Sequence, residues 1–416
     1  MSPTMHPGLR PRTRLALVLL LLSPLALAVP QLRGPGFADE GDNMAVVGSK
    51  RTIDDSRPIL GYAIVAHHIG DLKLYLRSVD EIAAMGANAL TIVTPLFQEY
   101  VDSSEIRYLP KKCPTEEQLE AIFLRAKKHG MTTILQPIIL IEKPEKKDWR
   151  GVIEPDDWRA WWQSYHRLID KFLRVANASN VDLFVVGSEL NTTEDQLGEW
   201  RTIIEKVRAN FPGQITYSAN WDRYRKTKIW PLVDAMSVSA YFELERDQPG
   251  AELEKLVRAW GPIRDRLIDF AREQDLPLLL SEVGYPSLPW ANAHPWNYVA
   301  GKKKADHALQ ARCYEAFFAA WADLRRPRRA CGRILLLSLG SISPGSFLRH
   351  RLWREGQAGE EGNRTRVQKD SRSHREPTPP IRRDAANHRS RIVSMKSFPQ
   401  DIWRAGKFPP RNRTYF

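Results

Sequence analysis

Cysteine is almost absent from this chain: three in 416 residues (Cys113, Cys313 and Cys331), widely spaced and odd in number. That excludes a disulfide framework, and no ligand spacing suggests a zinc site. Long apolar runs are also scarce. The run at 15–22 is short for a membrane span and is followed by Pro24. No glycine-rich phosphate loop follows the first strand-like segment, where "IVAHHIGD" stands instead. The net charge of +13 suggests nucleic acid until it is located. Residues 324–416 hold 22 Lys+Arg, 19 of them Arg, against 7 Asp+Glu, whereas residues 1–323 hold 40 against 42. The body is close to neutral, and only the tail is basic.

What is present begins with an export signal. Arg10, Arg12 and Arg14 precede the apolar run, and "ALA" at 26–28 is a small-residue cleavage site. Residues 1–28 therefore read as a signal peptide, with a retained anchor as the alternative, and residues 29–56 as a polar linker. With 43% hydrophobic residues and 13 Trp, disorder throughout is excluded.

From residue 57 strand-like and helix-like segments alternate. The strand candidates are "ILGYAIVAH", "ALTIVTP", "MTTILQPIIL", "VDLFVVGSE", "QITYSANW", "AMSVSAYF" and "LPLLLSEVG". Between them lie amphipathic stretches at 114–130, 156–176 and 194–211. In the first, Thr115 is the expected N-cap, Leu119, Ile122, Phe123 and Ala126 recur at helical spacing, and Gly130 is the stop. Seven strand–helix units predict an α/β fold with a parallel sheet covered by helices. A doubly wound sheet stays open, but a (β/α)8 TIM barrel spanning 57–323 fits the count better, with its site at the C-terminal strand ends.

That geometry gives two residues special weight. Glu189 ends the fourth strand candidate and Glu282 the seventh, and in a barrel those ends converge across the axis. Paired carboxylates there suit glycosidic bond cleavage, one protonating the leaving oxygen while the other attacks or activates water. His67, His68, Gln136, Glu142, Asn191, Asn220, Trp221, Tyr241 and Glu243 also fall at or beyond strand ends, and Tyr285 follows Glu282 closely. Polar groups among flat aromatics are what sugar recognition needs. Of the tryptophans near the third helix, Trp158, Trp161 and Trp162 are expected to pack, and Trp149 to reach substrate from its loop.

The stretches "VVGSELNTTEDQLGEW", "TYSANWDRYR", "LLSEVGYPS" and "HPWNY" resemble glycoside hydrolase family 113, beta-mannanase-like barrels of the large retaining clan. The resemblance covers roughly residues 57–323. It implies that Glu189 is the general acid/base and Glu282 the nucleophile, that Tyr241 holds the nucleophile by a hydrogen bond, and that Asn220 and Trp221 line the sugar site. Many clan members carry Asn before the acid/base; this chain carries Ser188.

After residue 324 the alternation fails. The eighth strand and its helix are expected to be atypical or missing, although "RILLLSLGS" offers a substitute strand. The Arg-rich tail, 324–416, reads as a disordered extension, a basic arm, or a segment out of frame with its ancestral gene. The expected protein is a secreted or periplasmic monomer acting on a beta-linked carbohydrate. No metal, no cofactor, no specific nucleic acid and no stable membrane span are expected. The competing expectation is a barrel that binds carbohydrate without turnover because its eighth strand is lost.

Overall fold

Local chemistry sets the helix boundaries. In the computed structural model, which describes residues 53, 59–67, 69–145, 147–299 and 303–322 together with the backbone of 334–342, helix α2 (Glu116–Lys128) starts at Thr115. Its hydroxyl accepts from the Gln118 amide while the Gln118 side chain accepts from the Thr115 amide, a reciprocal capping box. The helix buries Leu119, Ile122, Phe123 and Ala126, and Gly130 follows with φ of +67°. Asp71, Asp157 and Asp306 cap α1 (Leu72–Ala84), α3 (Trp158–Ala178) and α6 (His307–Ala320), each side chain accepting from a backbone amide of the first turn. Helices α4 (Leu197–Asn210) and α5 (Leu253–Glu273) complete the set among the described residues.

The strands are β1 (Leu60–Val65), β2 (Ala89–Gln98), the two-residue β3 (Ile106–Arg107), β4 (Thr132–Ile141) and β5 (Leu183–Ser188). They continue as β6 (Gln214–Asn220), β7 (Ala235–Ser239), β8 (Leu278–Val283) and β9 (Ile334–Ile342). Leaving out β3, which pairs antiparallel to β2, every pairing is parallel and each strand joins the next in sequence. β9 pairs with β8 on one side and β1 on the other, and β1 pairs with β2, so the circuit closes. This is a (β/α)8 barrel. The segment 334–342 supplies the eighth strand, which removes the reason for expecting a barrel that lost it. The proposed signal peptide, the linker apart from Ile53, and the tail beyond 342 lie outside the described residues.

One expected strand–helix unit is different. The connection from β6 to β7, residues 221–234, holds only a single 3-10 turn, Trp230–Leu232. Pro231 lacks the amide that an α-helix interior would use, and Tyr224, Ile229 and Trp230 bury themselves from irregular backbone instead.

The layer between strands and helices is apolar and unusually aromatic. Trp161 stacks on Tyr165 at 5.3 Å, Trp162 meets Trp200 edge-on at 5.4 Å, and Trp200 meets Tyr217 at 5.2 Å. Trp161 and Trp162 pack as the sequence suggested, and each such buried side chain contributes roughly 1.5–3 kcal/mol or more relative to exposure. Cys113 and Cys313 are buried free thiols. No described helix is long and apolar enough to cross a membrane.

Candidate active site

Two register shifts aim the paired glutamates. Along β5 and β6, Val185 faces Thr216, but the next pair is Ser188 with Ser218, so β5 carries one extra residue just before Glu189. Along β7 and β8, Val238 faces Leu280 and then Ser239 faces Glu282, so β8 carries one extra residue just before its glutamate. Such bulges occur next to active sites because they turn a side chain out of the regular alternation.

Glu282 is held on both carboxylate oxygens. The Tyr241 hydroxyl donates to Oε2 over 2.7 Å, and the Gln136 amide donates to Oε1 over 2.8 Å. Burial, then the negative charge of Glu282, pushes the Tyr241 hydroxyl well above its usual pKa, so it remains a donor. The same Gln136 amide lies 3.4 Å from the Ser188 hydroxyl, so one side chain of β4 connects it to the ends of β5 and β8.

Glu189 is 6% exposed and takes a φ of +55°. For a residue with a Cβ that backbone conformation costs on the order of 1–3 kcal/mol. Its amide donates to the Ser218 carbonyl over 2.8 Å, and Arg150 Nη2 donates to its carboxylate over 2.6 Å. Burial raises the proton affinity of Glu189; the Arg150 charge opposes this, the Glu282 charge reinforces it, and a Ser239 hydrogen bond opposes it. The net direction is upward. Three buried serines next to these strand ends bond to one another, the Ser218 hydroxyl lying 3.0 Å from that of Ser239 and 2.7 Å from that of Ser281.

The other sequence candidates lie on or just beyond the strands, and two of them, Glu142 and Tyr285, are corrected. His67 follows β1 and is half-buried; His68 lies outside the described residues. Asn191 opens the 3-10 turn after Glu189, and its Oδ1 is buried with no hydrogen-bond partner among the described residues. Asn220 is the last residue of β6, and Trp221 follows with its ring 5.7 Å from that of Phe242. Trp149 sits on the β4–α3 loop beside Arg150, its indole occupying the space a side chain at Gly151 would need. Gln136 stands within β4 and is fully buried; its amide reaches Glu282, and its Oε1 has no hydrogen-bond partner among the described residues. Glu142 is bound to Arg107 at 2.7 Å and Lys112 at 2.5 Å, which occupies both its oxygens. Tyr285 belongs to the core, 3% exposed with its ring edge-on to Tyr314 at 5.3 Å, because it lies beyond the strand end where the chain turns back under α6.

Arg150, Ser239 and Tyr298 were missed. Arg150 is 39 residues from Glu189 on a loop, and nothing local marks it. The Tyr298 ring meets Tyr241 edge-on at 6.2 Å, and Trp296 nearby donates its indole N–H to Glu243 over 3.3 Å. The only signal for these was the "HPWNY" stretch. Among the described residues no group of three His, Cys, Asp or Glu is arranged to hold a metal ion.

Comparison with known proteins follows the same direction. The sequence profile of Glycoside Hydrolase Family 113 matches residues 73–326. A family 113 beta-mannanase from Alicyclobacillus acidocaldarius, solved in complex with ManMIm, is 25% identical with a TM-score of 0.58, covering 69% of this chain and 87% of that one. A family 113 beta-1,4-mannanase solved as a complex is 21% identical with a TM-score of 0.57, covering 69% of this chain and 88% of that one. No curated protein matches the chain significantly. With the profile spanning more than half its length and the barrel shared, this chain is a glycoside hydrolase and belongs to glycoside hydrolase family 113.

Proposed function

We propose that the protein is a retaining beta-mannanase that works by double displacement. Glu282 is the nucleophile and Glu189 the general acid/base. The observation that carries this reading is the asymmetry of the pair: Glu282 accepts a hydrogen bond on each oxygen, from Tyr241 and from Gln136. Glu189 is buried, and its proton affinity is raised by that burial and by the charge of Glu282. Two neighbouring carboxyl groups do not both ionise readily, so the shared proton favours Glu189. In the first step Glu189 gives that proton to the glycosidic oxygen while Glu282 attacks the anomeric carbon; in the second, Glu189 takes a proton from water, which displaces Glu282. A beta-linked mannan is the substrate suggested by the beta-mannanase at 25% identity, and the signal-like residues 1–28 support export to a compartment where polysaccharide is met.

Chemical rescue tests the roles. Glu189→Ala should retain turnover of 2,4-dinitrophenyl beta-mannoside, whose leaving group needs no proton, and azide should yield beta-mannosyl azide. Glu282→Ala should lose turnover of every substrate, with azide giving at most the alpha product. A beta product from the Glu282 variant alone would reverse the assignment.

A further inference from the structure

A buried carboxyl group outside the reacting pair is connected to the acid/base turn through one tyrosine. Directly after Glu189, the Leu190 amide donates to the Tyr217 hydroxyl oxygen over 2.9 Å. Tyr217 in turn donates to Glu194 Oε1 over 2.9 Å. Tyr217 is fully buried and Glu194 is 2% exposed, and the Thr227 hydroxyl faces the same carboxyl. A fold needing only to fill this space would use apolar side chains, since burying a carboxyl group is costly.

The surroundings are built around this connection. A side chain at Gly187 would meet the Trp200 ring at 2.5 Å and the Tyr217 ring at 3.0 Å, so a glycine in β5 makes room for both. Trp200 donates to the Thr193 carbonyl over 3.0 Å, and the Thr193 hydroxyl donates to the Leu190 carbonyl over 2.7 Å. The amides of Glu189 and Leu190 are thus both bound, the first by Ser218 and the second by Tyr217, on either side of the one strained φ in the site.

We propose that Tyr217 and Glu194 are positioning residues for the general acid: they hold the Glu189 turn in its left-handed conformation so that the carboxyl meets the glycosidic oxygen. The proposal rests on the acid/base reading of Glu189. The Glu194 carboxyl oxygen accepts the Tyr217 proton, which leaves the hydroxyl oxygen's lone pairs to accept from Leu190. Burial raises Glu194 to about 7, against the opposing hydrogen bond from Tyr217 and the charge of Arg223. The other groups facing it are Thr227, on the β6–β7 connection, and Asp195, which is paired with Lys228.

The test uses the full chain and three variants, Glu189→Ala, Tyr217→Phe and Glu194→Gln, on two probes: 1,4-beta-mannotetraose, which needs the acid, and 2,4-dinitrophenyl beta-mannoside, which does not. Tyr217→Phe should lower kcat on mannotetraose about 10- to 100-fold with KM little changed, the size expected for a misplaced catalytic group. Its glycosylation rate on the dinitrophenyl substrate, read from the pre-steady-state burst, should stay within about threefold of wild type, as no proton transfer is involved. Glu194→Gln should show the same split to a smaller extent, because an amide oxygen can still accept from Tyr217; it carries the test if Tyr217→Phe does not fold. Equal losses on both probes, or no loss on either, would overturn the proposal. If Glu189→Ala itself lacks the split, the acid/base reading fails; if it shows the split and the other two do not, only the positioning role fails.

Discussion

Arg150 and Glu189 form an ion pair of 2.6 Å inside the barrel mouth, with side chains 19% and 7% exposed. An arginine on a proposed general acid pulls against the acid's function, because it favours the charged form. Burial works against the charge on Arg150 too, yet the negative charge of Glu189 and then Glu282 holds its proton more firmly than usual. The balance suits a group that must act first as acid and then as base. Once Glu282 is esterified its charge is gone, and Arg150 then favours the ionised Glu189 that activates water.

Arg150→Met should therefore move the alkaline limb of the kcat/KM profile to higher pH. That limb reports loss of the proton from the acid in the free enzyme, and the substitution removes the strongest group opposing its retention. Initial rates across pH on one soluble substrate check this. A limb that stays in place or moves to lower pH would show that Arg150 does not tune Glu189.

Tyr241→Phe should leave the fold intact and lower kcat/KM about 10- to 150-fold. A hydrogen bond to a charged group is worth about 1.5–3 kcal/mol, and this one falls on the proposed nucleophile at 2.7 Å. Kinetics together with a thermal melt separate the chemical loss from any loss of structure.

Gly187→Ala should destabilise the protein by about 1–3 kcal/mol, as overpacking of a close-packed core does. The new Cβ would sit 2.5 Å from the rigid Trp200 ring, which is fully buried and has no free direction in which to move. Urea denaturation measures the change; a variant as stable as wild type would show the aromatic layer to be looser than described.

Glu194→Gln should change how stability depends on pH. Glu194 is raised from 4.5 to about 7, so the native state binds its proton more tightly than the unfolded chain does. That contribution is fully present below about pH 4.5 and is lost as pH rises through about 7. By linkage the difference amounts to about 3 kcal/mol. Wild-type stability minus variant stability, from denaturation at pH 5 and pH 8, should fall by that order. Parallel curves would mean that Glu194 is not the buried titrating group. Glu189 has the same sign, but it is present in both proteins and cancels.

The sequence determined the strand–helix alternation, the boundaries set by Thr115 and Gly130, and the two glutamates at the ends of the fourth and seventh barrel strands. These are local properties: hydrophobic period, capping chemistry and turn residues act over a few positions, and parallel strands buried on both faces show as apolar runs. The family resemblance in "GSEL" and "SEVGYPS" added the expected roles. Tertiary structure alone decided the rest. Whether the apolar segment at 334–342 joins β8 to β1 depends on two edges from opposite ends of the chain. The bulges that aim Glu189 and Glu282 are visible only as register against a neighbouring strand. Glu142 and Tyr285 both read as site residues, yet one is paired with Arg107 and Lys112 and the other lies in the core, because which way a side chain beyond a strand end faces depends on where the chain turns next. Arg150 and Glu194 are charges on loops with nothing local to distinguish them. Their place beside Glu189 comes from distant segments meeting in a low-dielectric interior, where each charge must find a partner or keep its proton.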